Sequence, residues 1–167
     1  NSLNSYGISL RDLGRYEPAL AATEEAVTLR RGLAADNPQR HLPDLANSLN
    51  SYGLSLRELG RYEPALAATE EAVTLRRGLA ADNPQRHLPT LATSLNNLGA
   101  SLRDLGRMDD EMVARAEATG IWRRLAKDNP TRYQEIYRRE EATLRQLLDQ
   151  RGEHEEAVTS YLTDDHH

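Results

Sequence analysis

NSLNSYGLSLRELGRYEPALAATEEAVTLRRGLAADNPQRHLPTLA, residues Asn47–Ala92, decides the architecture, because the rest of the chain copies it to different degrees. Asn1–Ala46 differs from it at three positions only: Ile8 against Leu54, Asp12 against Glu58 and Asp44 against Thr90. A glycine closes each first half at Gly14, Gly60, Gly106 and Gly152, a constant step of 46 residues. A fixed period of this size marks a stack of structural repeats. The repeats divide the chain into 1–46, clipped at its N-terminal side, then 47–92, a divergent 93–138 and a partial 139–167 that caps the array.

Within the clean copy, Leu45, Leu49, Tyr52, Leu56 and Leu59 are spaced four, three, four and three, which is one stripe of a helix. Pro43 suits the opening turn of that helix, and Gly60 suits its end. A tight turn at Gly60-Arg61-Tyr62 leads into a second helix from about Glu63-Pro64, carrying Ala65, Leu66, Ala72, Val73 and Leu79. That helix should stop at Asp82-Asn83-Pro84, because proline disfavours helical geometry in the residue before it. Asn83–Leu88 then reads as a linker. The expected fold class is all-α, an α-α solenoid of antiparallel helix pairs.

Gly53 breaks local propensity, since a glycine inside a helix costs about 1 kcal/mol relative to alanine. Gly7 and Gly99 fall at the same place in their copies, and the third copy has diverged over much of its length. Kept glycine, with Ala65 and Ala72 expected to face it, predicts two helix axes drawn closer than the usual spacing of about 8–10 Å.

Leu49, Tyr52, Gly53, Leu56, Gly60, Tyr62, Ala65 and Ala72 fall in the order and spacing of the tetratricopeptide repeat (TPR) signature. Leu3, Tyr6, Gly7, Leu10, Gly14, Tyr16, Ala19 and Ala26 repeat it. The usual TPR period is about 34 residues, shorter than the step here. The glycine and alanine positions nevertheless point to this family, with the extra residues expected in a longer second helix and the linker. Ser94-Leu95-Asn96-Asn97-Leu98-Gly99 resembles the long-repeat TPRs of kinesin light chain type and their bacterial relatives. The resemblance implies a right-handed superhelix whose first helices line a concave groove that binds extended peptides. It also implies an interaction or scaffold module within a larger signalling or regulatory protein.

The family's groove positions carry over here to Asn47, Asn50, Ser51, Leu54, Arg57 and Glu58. Their counterparts are Asn1, Asn4, Ser5, Ile8, Arg11 and Asp12, then Thr93, Asn96, Asn97, Ala100, Arg103 and Asp104. Two ladders result, Asn4–Asn50–Asn96 and Arg11–Arg57–Arg103. An asparagine amide can pair with both the N–H and the C=O of an extended backbone. An arginine ladder would take acidic side chains or a C-terminal carboxylate. Alternatively, those arginines pair with Asp12, Glu58 and Asp104 of adjacent helices and leave a neutral groove.

Composition narrows the rest. The 167 residues carry a net charge of −5, which opposes a general phosphate-binding surface and so argues against a nucleic-acid partner. No Cys is present, which removes disulfides and thiolate chemistry and fits a reducing, cytoplasmic setting. No apolar run approaches the roughly 20 residues that span a bilayer, so no membrane partner is expected. Opening in mid-pattern without Met, the chain reads as a piece of a longer protein. No nucleophile elbow, phosphate-cradling loop or isolated carboxylate pair appears, so no catalytic residue, cofactor or enzyme activity is expected. His41 and His87 occur singly in their linkers, and His154-Glu155-Glu156 lacks the second histidine of a zinc protease motif, so no metal site is expected.

The third copy frays. Glu111 and Arg115 replace Ala65 and Thr69, which requires different packing. Trp122 stands where Arg30 and Arg76 stand earlier, and it reads as an aromatic cover for the last hydrophobic layers. Thr131–Arg151 reads as a long polar-faced helix with Leu144 and Leu148 inward, and a shorter helix follows Gly152. The functional expectation is a protein- or peptide-binding module. The alternative is self-assembly, in which near-identical terminal repeats stack end to end into homo-oligomers.

Overall fold

The structure is a computed structural model and describes residues 2–152. Every secondary-structure element among them is an α-helix: α1 (Ser2–Asp12), α2 (Tyr16–Asp36), α3 (Pro38–Glu58), α4 (Tyr62–Asp82), α5 (Pro84–Asp104), α6 (Met108–Asp128) and α7 (Pro130–Gln150). The described residues form two compact units, one ending at Pro84 and the other starting at Gln85. In the first, α1 packs on α2, α2 on α3 and α3 on α4, while α1 also touches α3. In the second, α5 meets α6 around Gly99, and α6 packs along α7. The terminal helix expected after Gly152, the His154-Glu155-Glu156 stretch and the Asp165–His167 end lie outside the described residues.

Each full helix is 21 residues long, and this corrects the expected linker. Asn83–Leu88 is not a connector: Pro84 opens α5, so Gln85 to Leu88 are already helical. The same holds one copy earlier, where α3 starts at Pro38 and Pro43 lies inside it. Both Pro38 and Pro43 could open a helix, but only Pro38 follows a residue that can cap one. Asn37 Oδ1 accepts a hydrogen bond from Arg40 N at 3.3 Å, satisfying an amide that the first turn leaves without a partner. Leu42, before Pro43, has no such group. Pro43 therefore sits in the second turn, where its missing N–H removes one hydrogen bond near the helix start. The additional length relative to the usual repeat is spread over both helices of the pair.

The turns follow from one conformation. Gly60 has φ of +68°, the left-handed region in which a Cβ is penalised. Its N–H donates to Arg57 O at 2.9 Å, and Arg61 N donates to Leu56 O at 2.9 Å, the paired bonds of a Schellman C-cap. Gly106 repeats this with Arg103 and Leu102 as acceptors.

Helix pairs close on the mid-helix glycine. A Cβ placed on Gly53 would lie 3.0 Å from Thr69 Cγ2 and 3.3 Å from Ala65 O. On Gly7 it would come within 2.7 Å of Thr23 Cγ2. The facing residues are Ala65, Ala68 and Thr69. Ala72, expected to share this contact, instead packs with Val27, Ala34, Leu45 and Leu49, because it lies one turn further along α4. Thr69 is fully buried and donates to Ala65 O and Leu66 O, at 3.1 and 2.9 Å, so its methyl is held against the glycine.

The divergent copy packs differently at this seam. Glu111, only 3% exposed, accepts from Arg115 Nε at 2.7 Å. Arg115 Cγ now lies 3.2 Å from where a Gly99 Cβ would be, and the facing backbone oxygen, Glu111 O, has moved out to 3.6 Å. Trp122 is buried, with its ring 6.0 Å from that of Tyr133, on whose face Arg132 lies at 5.1 Å. Leu144 and Leu148 pack inward against Met112 and Ala116.

Candidate protein-binding surface

α3 is covered on most sides, and its less buried residues mark what the fold leaves open. Leu45, Ser48, Leu49, Ser55 and Leu56 are buried, whereas Asn47, Asn50, Leu54, Arg57 and Glu58 are exposed or half-buried. The spacing 47, 50, 54, 57 is a single helical stripe. Ser51, assigned to the same face from sequence, is buried, and its carbonyl accepts from Ser55 Oγ at 3.2 Å. On the neighbouring α1, Asn4, Ile8 and Arg11 are half-buried along the corresponding stripe. The first unit thus brings Asn4, Arg11, Asn50, Leu54 and Arg57 onto two touching helices.

Two of these polar groups, Arg11 and Asn47, have identified internal partners. Arg11 Nη2 lies 3.6 Å from Asp12 on its own helix, not from an acid of an adjacent one. Asn4 Oδ1 is buried and accepts no hydrogen bond among the described residues. Asn47 Oδ1 accepts from Arg76 Nη2 of α4, whose guanidinium also donates to Pro43 O at 3.3 Å. Arg76 is 3% exposed, and its Nε is buried without a partner among the described residues. Burial pushes its pKa down, and the Asp44 carboxylate acts the other way.

In the second unit the open stripe of α5 carries Thr93, Asn96, Asn97, Ala100, Arg103 and Asp104. Asn96 Nδ2 donates to Glu140 Oε2 of α7 at 2.9 Å. Arg103 lies 3.9 Å from Glu111 of α6, so the arginine of this copy is paired with an acid that the sequence placed at the helix contact. Asn97 is half-buried on the same stripe. Sequence reasoning missed Arg76 and Glu140 because both partner the asparagines from other helices. The one available signal was that Asp44, the acid facing Arg30, becomes Thr90 in the next copy.

Among the described residues no group of three His, Cys, Asp or Glu side chains could hold a metal ion. No helix among them is long and apolar enough to cross a membrane. The surface therefore offers hydrogen-bond donors and acceptors, guanidinium groups and a few apolar side chains.

The tetratricopeptide repeat family model matches residues 45–84 and 91–130. Each match covers the later part of one first helix and the second helix after it, and 91 − 45 reproduces the 46-residue step. No curated protein matches the chain. Repeats of this family generally mediate protein–protein interaction. With paired helices closing on glycine, left-handed glycines at the turns and two matched repeats in register, the chain belongs to the tetratricopeptide repeat proteins.

Proposed function

We propose that this array is a non-enzymatic protein- or peptide-binding module of a larger regulatory or signalling protein. In this reading 1–46, 47–92, 93–138 and 139–167 are its successive repeats. Each unit takes up extended peptide on the open stripe of its first helices: Asn4, Arg11, Asn47, Asn50, Leu54 and Arg57 in the first unit, Asn96, Asn97 and Arg103 in the second. The observation that carries the proposal is the α3 stripe. On a helix buried on its other sides, asparagine and arginine, polar residues seldom chosen for packing, occupy the open positions.

Each backbone hydrogen bond to an asparagine contributes about 1 kcal/mol net. Micromolar binding requires about 8 kcal/mol, so apolar contacts to Ile8 and Leu54 and charge pairing at the arginines must supply most of it. The test is a linear peptide selected from a randomised library on the intact chain, then titrated against Asn50→Ala combined with Asn96→Ala. Weakened binding at unchanged helicity supports the proposal. Unchanged binding refutes the assignment of these stripes.

A second reading, end-to-end self-association, rests on a different observation. Tyr6, Leu13 and Leu29 are exposed, whereas their counterparts Tyr52, Leu59 and Leu75 pack against clusters containing Leu20 and Val27 of α2. A further α2-like helix would cover the exposed set in the same way. Molecular mass that rises with concentration favours this reading, and a constant monomer removes it.

A further inference from the structure

The asparagine amide is ambiguous in shape but not in chemistry. One end only accepts hydrogen bonds and the other only donates. A partner that can do only one of these fixes which end it meets, and so fixes which end is left for a ligand. A guanidinium has no acceptor and a carboxylate has no donor.

Both kinds of partner occur here. Arg76 Nη2 donates to Asn47 Oδ1 in the first unit, so the Nδ2 end of this exposed side chain is turned away from α4. In the second unit Glu140 Oε2 accepts from Asn96 Nδ2 at 2.9 Å, so the Oδ1 end of Asn96 is turned away from α7. The two amides are locked in opposite senses.

Packing alone does not explain why Arg76 is an arginine. One copy earlier the same position, Arg30, meets the Asp44 carboxylate at 2.7 Å. One copy later it is Trp122, buried beside the Tyr133 ring, so the position accepts a hydrophobe. Arg76 is buried as well, at 3% exposure. Its described contacts are a carbonyl and an amide oxygen. Burying a cation without a contacting carboxylate is costly compared with an apolar residue of similar size. What the arginine supplies that an apolar residue could not is the orientation of Asn47.

Resting on the binding stripes proposed above, we propose that Arg76 and Glu140 are positioning residues that set hydrogen-bond sense along the surface. Asn47 presents N–H donors and takes a ligand oxygen, a backbone carbonyl or a carboxylate. Asn96 presents its amide oxygen and takes a ligand N–H. Each stripe thereby fixes the hydrogen-bond sense that a peptide group must offer at its asparagine, which an unlocked asparagine would read equally well either way.

The experiment replaces each amide of the selected peptide by an ester in turn, which deletes one N–H at a time. The wild-type chain should lose about three- to tenfold in affinity at one position, and Asn96→Ala should abolish that loss. Glu140→Lys puts a donor-only group in the same place and should remove the sensitivity by reversing Asn96. Glu140→Gln, closer in shape, should reduce it if the lysine variant fails to fold. A flat ester scan, or one unchanged by both Glu140 variants, overturns the proposal.

If the library yields no peptide, the binding reading itself fails, and ligand-free NMR decides the locking. One side-chain amide proton of Asn96 should exchange slowly and lose that protection in Glu140→Gln. The Asn47 Cγ resonance should move upfield in Arg76→Met. Absence of both effects shows that the amides are not held.

Discussion

Replacing single helical glycines by alanine isolates the contact on which the helix pairs close. Gly53 and Gly78 both lie inside 21-residue helices, so each change gains about 1 kcal/mol of helix propensity. At Gly78 nothing lies within 4 Å of the new methyl, and the gain should appear in full. At Gly53 the methyl meets Thr69 Cγ2 at 3.0 Å and the Ala65 carbonyl oxygen at 3.3 Å. Neither can step aside easily: one is backbone, and Thr69 is held by its two hydrogen bonds to α4 carbonyls. Overpacking of this kind costs about 1–3 kcal/mol, which cancels or exceeds the propensity gain. Gly53→Ala should therefore lie about 1–3 kcal/mol below Gly78→Ala.

The same logic grades the other two positions. Gly7→Ala should be worse, with Thr23 Cγ2 at 2.7 Å, whereas Gly99→Ala meets the flexible Arg115 side chain at 3.2 Å and backbone only at 3.6 Å. It should be nearly neutral. Urea denaturation followed by circular dichroism reads the series, with the midpoints compared at equal slope. If Gly53→Ala is as stabilising as Gly78→Ala, the close approach of α3 and α4 is not a constraint and the reasoning is wrong.

Other consequences are checked by the same assay. Asn37→Ala and Asn129→Ala each remove a side-chain cap, the second accepting from Arg132 N at 3.2 Å, and each should cost about 1 kcal/mol. Glu111→Ala leaves the largely buried Arg115 without its carboxylate and should cost about 3 kcal/mol, the lower end for breaking a buried pair. Adding Arg115→Thr, which copies Ala65 and Thr69, should recover most of it; no recovery would mean the pair does not act as a unit. Burial, then the Glu24 carboxylate, raises the pKa of Tyr52, with Arg61 opposing; burial, then the hydrogen bond to Glu141, raises that of Tyr137. The folded state holds these protons longer than the unfolded one. Their contribution is thus complete below the ordinary value of 10.0 and is lost as pH rises through the folded pKa. Midpoints should fall in that alkaline range, and less steeply in Tyr52→Phe.

What could be read from sequence was what local physics determines. Gly60 stood out because the chain must reverse within a few residues, and only a residue tolerant of positive φ does so without strain. Gly53 stood out because glycine inside an apolar helical stripe needs a reason. The helix starts were misread because Pro38 and Pro43 are equally good openers until the cap is weighed, and Asn37 decides between them. Ala72 was assigned to the wrong seam because spacing gives a face but not the height of the neighbour along it. The locking of Asn47 and Asn96 was out of reach, since their partners lie 29 and 44 residues away on other helices.

The near-identity of the first two copies sets one arginine in two different surroundings. Arg30 and Arg76 are the same residue in the same α-helical sequence, YEPALAATEEAVTLRRGLAAD. Their described partners differ: the Asp44 carboxylate for Arg30, the Asn47 amide oxygen and the Pro43 carbonyl for Arg76. With the carboxylate present, Arg30 forms an ordinary ion pair. Arg76 instead donates to the Asn47 amide oxygen, and the Asp44 carboxylate acts on it only through space. A buried cation must find acceptors, because leaving its donors unsatisfied costs more than any reorientation of a side-chain amide. A buried arginine on the second helix of a pair can thereby hold an asparagine on the open stripe of the first. Repeats that differ at one such position share a fold and need not share a ligand preference.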